Sequence, residues 1–271
     1  MTASTATSRT LAVPDCSLYY ELRGSGPLLV VAGSPMGADM FAPVADALAT
    51  DHTVVTLDPR GIGRSRLADP LQDSTPDLRA DDVAAILDDL GAQSADMIGS
   101  SGGAVTGLAL VARHPDRVGT LVAHEPPLLE LMPDAAEQRA ATDDLVATFH
   151  AHGVGAAWAK FMGDAGFDDD VDAPGTVEPS EQDLADSAHF FAHEIQGTTR
   201  YLPDVGALVR GPARVVVGVG VESAALLTAR TSAALAALLG TPPAVFPGDH
   251  GGFLGAPQAF ADRVREVLAS G

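Results

Sequence analysis

Ser101 lies at the centre of the glycine-flanked stretch Gly99-Ser100-Ser101-Gly102-Gly103. An apolar run precedes this stretch and an apolar helical pattern follows it, which predicts a tight turn between a strand and a helix. Such a turn exposes the serine hydroxyl, and it favours glycine two residues to either side because side chains there would collide with neighbouring backbone. The pattern therefore predicts that Ser101 is a nucleophile.

A serine hydroxyl is a weak nucleophile at neutral pH, so it needs a general base, and the base needs an acid that orients it. His250 is the candidate base, since it follows the last predicted strand and precedes the last predicted helix. Several carboxylates lie between Ser101 and His250 and are candidate acids. Parallel strands bring the residues at their carboxyl ends to one edge of a sheet, so His250 is expected near Ser101.

Short apolar runs alternate with helical patterns along most of the chain, which indicates a mainly parallel sheet with helices on both faces. Eight strands are predicted; one ends just before Ser101, and the others cover residues 11–13, 17–22, 28–32, 53–57, 118–123, 214–219 and 244–246. The intervening helices are predicted over residues 41–49, 78–90, 102–113, 224–239 and 257–269. Residues 1–9 are rich in serine and threonine and are predicted to be frayed.

Residues 128–208 interrupt this alternation, because they contain helical patterns and no convincing strand. Helices are predicted over residues 134–150 and 181–194, with an acidic surface loop over residues 163–179 between them. We therefore predict a helical cap at residues 128–208, inserted after the sixth strand, and a core formed by residues 1–127 and 209–271.

Five motifs, in order along the chain, resemble those of the α/β-hydrolase superfamily. They are Ala32-Gly33-Ser34, Asp58-Pro59-Arg60-Gly61-Ile62-Gly63-Arg64-Ser65, the turn at Ser101, His114-Pro115-Asp116-Arg117-Val118 and Gly248-Asp249-His250. The resemblance implies an α/β-hydrolase fold, with a mainly parallel eight-stranded sheet flanked by helices and a helical cap after strand 6. It also implies a serine–acid–histidine triad and an oxyanion hole of two backbone N–H groups, one from Gly102 and the other from Ser34 or Gly33.

The stretch from Gly99 to Pro127 is similar to the same region of the zearalenone lactonases. Those enzymes use a glutamate after the sixth strand and open a macrocyclic lactone. In most of the superfamily the acid instead follows the seventh strand, where this chain has Glu222. The resemblance to the lactonases therefore favours Glu125 over Glu222 as the acid that orients His250. It implies that the protein hydrolyses a small or medium apolar carboxylic ester or lactone through an acyl-enzyme.

Two other functions stay open at the level of the sequence. The same triad could hydrolyse a carbon–carbon bond or cyclise a natural-product intermediate, and the fold also occurs in non-catalytic proteins that bind small ligands. The intact Ser101 and His250 favour an enzyme over a binding protein.

The composition excludes several kinds of partner. The 271 residues include 36 acidic and 16 basic side chains, and the net charge of −20 argues against nucleic acid and anionic membranes. Cys16 is the only cysteine, so an intramolecular disulfide and a cysteine-based zinc site are excluded. His189 and His193 follow the order H-x-x-x-H-E rather than H-E-x-x-H, and no metal or cofactor is predicted. A cytoplasmic bacterial protein, monomeric or homodimeric, is expected.

Overall fold

A sheet whose main path has eight strands lies at the centre of the computed structural model, which describes residues 6–167 and 178–270. In chain order the strands are β1 (Thr7–Val13), β2 (Cys16–Gly24), β3 (Leu28–Ala32), β4 (Thr53–Leu57), β5 (Ala95–Ser100), β6 (Val118–His124), β7 (Arg214–Gly220) and β8 (Ala244–Phe246). Across the sheet their order is β1-β2-β4-β3-β5-β6-β7-β8. The pairings β1–β2 and β2–β4 are antiparallel and the others along this path are parallel, so the predicted mainly parallel sheet is confirmed. A ninth strand of two residues, Arg66–Leu67, pairs with β2.

The first strand begins earlier than the sequence suggests. Residues 7–9, predicted to be frayed, pair with β2, and Thr7 lies opposite Leu22. The side chains of Thr7–Thr10 are exposed, so backbone hydrogen bonds hold this edge of the sheet without burying an apolar face. A polar sequence therefore concealed the start of the strand.

Ten α-helices accompany the strands in the described residues. They are α1 (Ala42–Leu48), α2 (Pro76–Asp89), α3 (Gly102–Arg113), α4 (Ala135–Ala165), α5 (Glu181–His189), α6 (Ile195–Thr199), α7 (Val205–Arg210), α8 (Leu227–Leu239), α9 (Gly252–Gly255) and α10 (Pro257–Ala269). Helix α2 shows how local sequence sets the ends. The side chain of Thr75 accepts a hydrogen bond from the Leu78 N–H, Pro76 occupies the first turn, and Gly91 follows the helix with a φ of 65°.

The apolar strands are buried on both faces, which explains why their sequences are continuously apolar rather than alternating. Along β3, Leu29 and Val31 pack into a core that α1 and α10 cover, whereas Val30 and Ala32 pack into a second core that α2, α3 and α8 cover. This alternation follows from the two-residue period of a strand. The sheet is thereby fixed between two helical layers, and its carboxyl edge stays available for a site.

The segment between β6 and β7, called the cap below, is helical over its described residues. Helix α4 was predicted to end at residue 150; it extends to Ala165, but Gly153 interrupts it with a φ of 82° and a ψ of −177°. Of the predicted loop over 163–179, residues 163–165 are helical and residues 168–177 lie outside the described part of the chain. A π-helical turn, Phe190–Glu194, joins α5 to α6. Over the described residues, no helix has both the length and the apolar character needed to cross a membrane.

Candidate active site

The turn between β5 and α3 holds Ser101 in a strained backbone conformation. Its φ is 56° and its ψ is −125°, a region that non-glycine residues rarely adopt. The Ser101 N–H donates to the His124 carbonyl at 2.9 Å, which ties the turn to the end of β6. A Cβ added to Gly99 would overlap the carbonyl of Gly103, and one added to Gly103 would overlap the carbonyl of Ala32. The two flanking glycines are therefore required by close backbone approach.

Gly102 and Ser34 lie side by side next to Ser101. A Cβ added to Gly102 would lie 2.8 Å from the carbonyl oxygen and the Cβ of Ser34. Gly102 is the first residue of α3, so its N–H has no acceptor within the helix. Ser34, Gly102 and Ser101 line the same cavity. Gly33, the other predicted oxyanion-hole residue, instead packs against the ring of Phe41 and is absent from the described lining of that cavity.

Glu125 and His250 meet behind this cavity. Glu125 is the first residue after β6 and is fully buried, and its Oε2 lies 2.6 Å from Nδ1 of His250. The carboxylate is held by two further donors, since the Gly220 N–H reaches Oε1 at 2.8 Å and Thr228 Oγ1 reaches Oε2 at 2.8 Å. Burial alone would raise the pKa of Glu125, but the hydrogen bond and charge of His250 outweigh it and lower the pKa to about 2. Glu125 is thus a carboxylate fixed in one orientation.

Glu222, the alternative acid, is placed differently. It is exposed, and its backbone N–H donates to the Gly248 carbonyl at 3.0 Å. Within residues 6–167 and 178–270, its carboxylate has no hydrogen-bond or ion-pair partner, whereas His250 is bound by Glu125. The structure therefore brings only one of the two candidate acids to His250.

His124 lies next to this pair and is fully buried. Its ring centroid is 6.3 Å from that of His250, and its Nδ1 lies 3.2 Å from Ser100 Oγ. Burial lowers the pKa of His124 to about 4, although the neighbouring Glu125 charge acts in the opposite direction. His124 is therefore uncharged at neutral pH, so it does not form an ion pair with the Glu125 carboxylate in place of His250.

A cavity of about 240 Å³ lies between the carboxyl edge of the sheet and the cap. His250 lines it together with Ser101, and the cap contributes mainly apolar side chains: Trp158, Phe161, Met162, Phe167, Phe190 and Ile195. Trp158 and Phe190 also pack on the buried Phe191, and Phe161 packs on both of them, so the aromatic cluster serves both as the small core of the cap and as a cavity wall. Asp164 is the one lining side chain with a carboxylate among the described residues, and Lys160 Nζ lies 3.2 Å from it.

The geometry gives no sign of a metal site in the described ranges. No group of three or more histidine, cysteine or acidic side chains there could hold a metal ion. His189 and His193 are neighbours, with 5.3 Å between ring centroids, but Nδ1 of His193 lies 3.0 Å from Oδ1 of Asp73. One carboxylate, that of Asp73, thus faces one of the two imidazoles.

Thr228 and Glu194 were not predicted as site residues. Thr228 belongs to the first turn of α8 and binds Glu125, and Glu194 in the cap accepts a hydrogen bond from Ser34 Oγ. Thr228 stands in no motif, Glu194 was met only as the last residue of H-x-x-x-H-E, and the partners of both are more than 100 positions away in the chain. Only the packing of the cap and of α8 against the sheet brings them to the site.

The comparisons with known proteins agree with this fold. Residues 26–189 match the sequence model described as the alpha/beta hydrolase fold. The uncharacterized hydrolase YraK of Bacillus subtilis strain 168 is 34% identical over 271 residues, which cover 97% of each chain. A thermophilic esterase from Thermogutta terrifontis has a TM-score of 0.73 at 22% identity, covering 98% of this chain and 99% of its own. The enol-lactonase of Burkholderia xenovorans LB400 has a TM-score of 0.64 at 20% identity, covering 96% of this chain and 100% of its own. The match spans more than half of the chain, and the Bacillus relative spans nearly all of it, so this chain belongs to the α/β-hydrolase family of enzymes.

Proposed function

We propose that the protein hydrolyses carboxylic esters or lactones through an acyl-enzyme on a Ser101–His250–Glu125 triad. The observation that carries the proposal is the 2.6 Å contact between Glu125 and His250, beside a cavity that His250 and Ser101 line together. A nucleophile on a strained turn, a histidine and a buried acid are the three parts that this chemistry requires.

In this mechanism the Nδ1–H of His250 donates to Glu125, which leaves Nε2 as the proton acceptor. Nε2 takes the proton from Ser101 Oγ as the oxygen attacks the carbonyl carbon. The same proton then passes to the departing alkoxide, and the acyl group remains on Ser101. A water molecule, activated by His250, attacks the acyl-enzyme and releases the acid, so the enzyme returns to its starting state.

Two backbone N–H groups, from Ser34 and Gly102, would stabilise the negative oxygen of the tetrahedral intermediate. The N–H of Gly102 is supported in this role by its position at the amino end of α3, where the helix dipole favours negative charge. Gly33 packs against Phe41, which makes Ser34 the better second donor.

The cavity supports a substrate that is largely apolar and uncharged. Its cap side is mainly aromatic and aliphatic, and Asp164 is the one carboxylate in the described lining. The structural relatives include an esterase and an enol-lactonase by name, which is consistent with either an open or a cyclic ester. The resemblance of residues 99–127 to zearalenone lactonases makes a macrocyclic lactone a suitable member of a test panel.

The test is hydrolysis of 4-nitrophenyl esters and of a macrocyclic lactone by the wild-type protein and by Ser101→Ala. We expect turnover by the wild type and a loss of at least about 10³-fold in kcat for the variant. A fluorophosphonate should label the wild type and not Ser101→Ala. Labelling without turnover of any ester or lactone would contradict the substrate class and would favour C–C hydrolysis, which β-diketones test. A wild-type protein that is neither labelled by the fluorophosphonate nor able to hydrolyse an ester or lactone would favour a binding protein.

A further inference from the structure

A buried ion pair lies next to the proposed oxyanion hole and outside the triad. Arg79 of α2 and Glu194 of the cap are 3% and 1% exposed, and Nη1 of Arg79 lies 3.8 Å from Oε1 of Glu194. Removing two charges from water is unfavourable unless hydrogen bonds compensate for it. The hydrogen bonds of this pair therefore indicate which parts of the molecule it holds together.

Glu194 connects the cap to the loop that follows β3. Its Oε1 accepts a hydrogen bond from Ser34 Oγ, and Ser34 is 2% exposed. Glu194 ends the π-helical turn between α5 and α6, a helix irregularity that often marks functional sites. Because the hydroxyl proton of Ser34 is directed at Glu194, this side chain fixes the Ser34 backbone relative to the cap.

Arg79 reaches the other half of the proposed oxyanion hole. Its Nε donates to Thr106 Oγ1 at 3.0 Å, and Thr106 Oγ1 donates to the carbonyl oxygen of Gly102 at 3.1 Å. Its Nη2 donates to Thr198 Oγ1 in the cap at 2.8 Å, and its Nη1 donates to the Ser74 carbonyl at 2.6 Å. One guanidinium group thus links α3, the segment before α2 and the cap.

We infer that Glu194 is a positioning residue for the oxyanion hole. Through its hydrogen bond with Ser34 Oγ, Glu194 fixes the distance between the loop after β3 and Gly102. At that distance the N–H groups of Ser34 and Gly102 can both donate to one oxyanion. Such donors must lie within about 2.7–3.1 Å of the developing oxyanion. A small shift of the loop therefore weakens binding of the transition state more than binding of the substrate. The inference rests on the proposed function, because an oxyanion hole acts only if Ser101 attacks a carbonyl group.

The test compares Ser34→Ala, Glu194→Ala, Glu194→Gln and the double variant Ser34→Ala/Glu194→Ala on a 4-nitrophenyl ester. Glu194→Gln is the conservative replacement, because the carboxamide keeps the shape of the side chain. Its oxygen can still accept from Ser34 Oγ. Gln196→Ala is the matched control, since Gln196 lies in the same part of the cap but binds Asp143.

We expect Ser34→Ala and Glu194→Ala each to lower kcat about 10- to 100-fold with less than about a threefold change in KM. The double variant should be no slower than Glu194→Ala, and Glu194→Gln and Gln196→Ala should stay within about threefold of the wild type. The affinity for a boronic acid, whose serine adduct resembles the tetrahedral intermediate, should fall by the same factor as kcat/KM.

The inference would be overturned if Ser34→Ala kept the wild-type kcat. It would also be overturned if the loss of kcat in the double variant equalled the product of the two single losses, or if the variants changed only KM. If Glu194→Ala does not fold, Ser34→Ala decides alone, because it removes a single oxygen atom. Full activity in Ser34→Ala together with an inactive Ser101→Ala would reject the positioning role and leave the proposed function intact. A wild-type protein that hydrolyses no ester or lactone would reject both.

Discussion

Glu125 Oε2 lies 2.6 Å from Nδ1 of His250, although the two residues are 125 positions apart in the chain. Glu125 follows β6 and His250 follows β8, so the contact spans the end of β7. β7 ends at Gly220, whose N–H donates a hydrogen bond to Glu125. Gly220 has no side chain, so nothing at this position obstructs the contact between Glu125 and His250. The chain beyond it turns to the surface and exposes Glu222. A carboxylate that follows β6, the strand next to β7, can therefore contact His250.

The first prediction concerns the choice of acid. Glu125→Gln should lower kcat about 10³- to 10⁴-fold, because the carboxamide cannot stabilise the imidazolium that forms on His250. Glu222→Gln is the matched control and should keep nearly wild-type kcat, since the carboxylate is exposed. Steady-state hydrolysis of a 4-nitrophenyl ester measures both. An inactive Glu222→Gln with an active Glu125→Gln would reverse the assignment.

The second prediction concerns the strain at Ser101. Its φ of 56° and ψ of −125° are unfavourable for a residue with a Cβ, and such strain is of the order of 1–3 kcal/mol. Ser101→Gly should therefore have a free energy of unfolding about 1 kcal/mol higher than that of Ser101→Ala. Urea denaturation at pH 7 compares the two variants, which both lack the hydroxyl and differ only in the Cβ. Equal stabilities would mean that the strain is no larger than the extra entropy that glycine loses on folding, about 0.5–1 kcal/mol.

Much of the fold could be predicted from the sequence because its signals are local. The continuous apolar runs, such as Leu28–Ala32, are those of strands buried on both faces, and the glycines around Ser101 mark the turn. The start of β1 was missed, since exposed Thr7–Thr10 are held by backbone pairing, which leaves no apolar pattern.

The contact between Glu125 and His250, and the residues around it, could not be predicted from the residues alone. Glu125 and Glu222 both follow strands, and only the tertiary structure distinguishes a buried carboxylate from an exposed one. Thr228 and Glu194 reach the site from α8 and from the cap, and no spacing in the sequence indicates those contacts. Side-chain networks that join distant elements leave no local pattern to read.

The third prediction concerns stability in weak acid. Burial, together with the nearby His193, lowers the pKa of His189 from 6.5 to about 4. Between pH 6.5 and pH 4 the unfolded chain therefore binds more protons at this residue than the folded chain. The free energy of unfolding is therefore highest above pH 6.5 and falls as the pH decreases below it. The loss between pH 7 and pH 5 should be about 2 kcal/mol for this residue. His124, also lowered to about 4, should add a similar loss.

Urea denaturation at pH 7 and pH 5 measures this effect in the wild type and in two variants. His189→Asn should reduce the difference between the two pH values by about 2 kcal/mol. His152→Asn is the control and should leave the difference unchanged, because His152 is exposed. An unaltered difference in His189→Asn would show that His189 does not titrate below its ordinary range.

The fourth prediction concerns the charge of the substrate. The described lining of the cavity contains no lysine or arginine, and residues 168–177 contain none in the sequence. Asp164 lines the cavity. An adjoining groove shares Pro35, Met36 and Trp158 with it, and the groove includes the carboxylates of Asp39, Asp58, Asp183 and Asp186 besides Arg64 and Arg66. A substrate with its own carboxylate would lose water there without gaining a cation in the cavity.

Hydrolysis of 4-nitrophenyl hydrogen adipate should therefore have a kcat/KM at least about tenfold lower than that of the methyl 4-nitrophenyl diester of the same acid, which corresponds to about 1.4 kcal/mol. The diester is the matched control, since it keeps the chain and the leaving group but carries no charge. The deficit should shrink as the salt concentration rises, because salt screens the repulsion by the surrounding carboxylates and by a net charge of −20. Equal kcat/KM values for the two esters would imply that a cation, absent from the described lining, reaches the substrate during turnover.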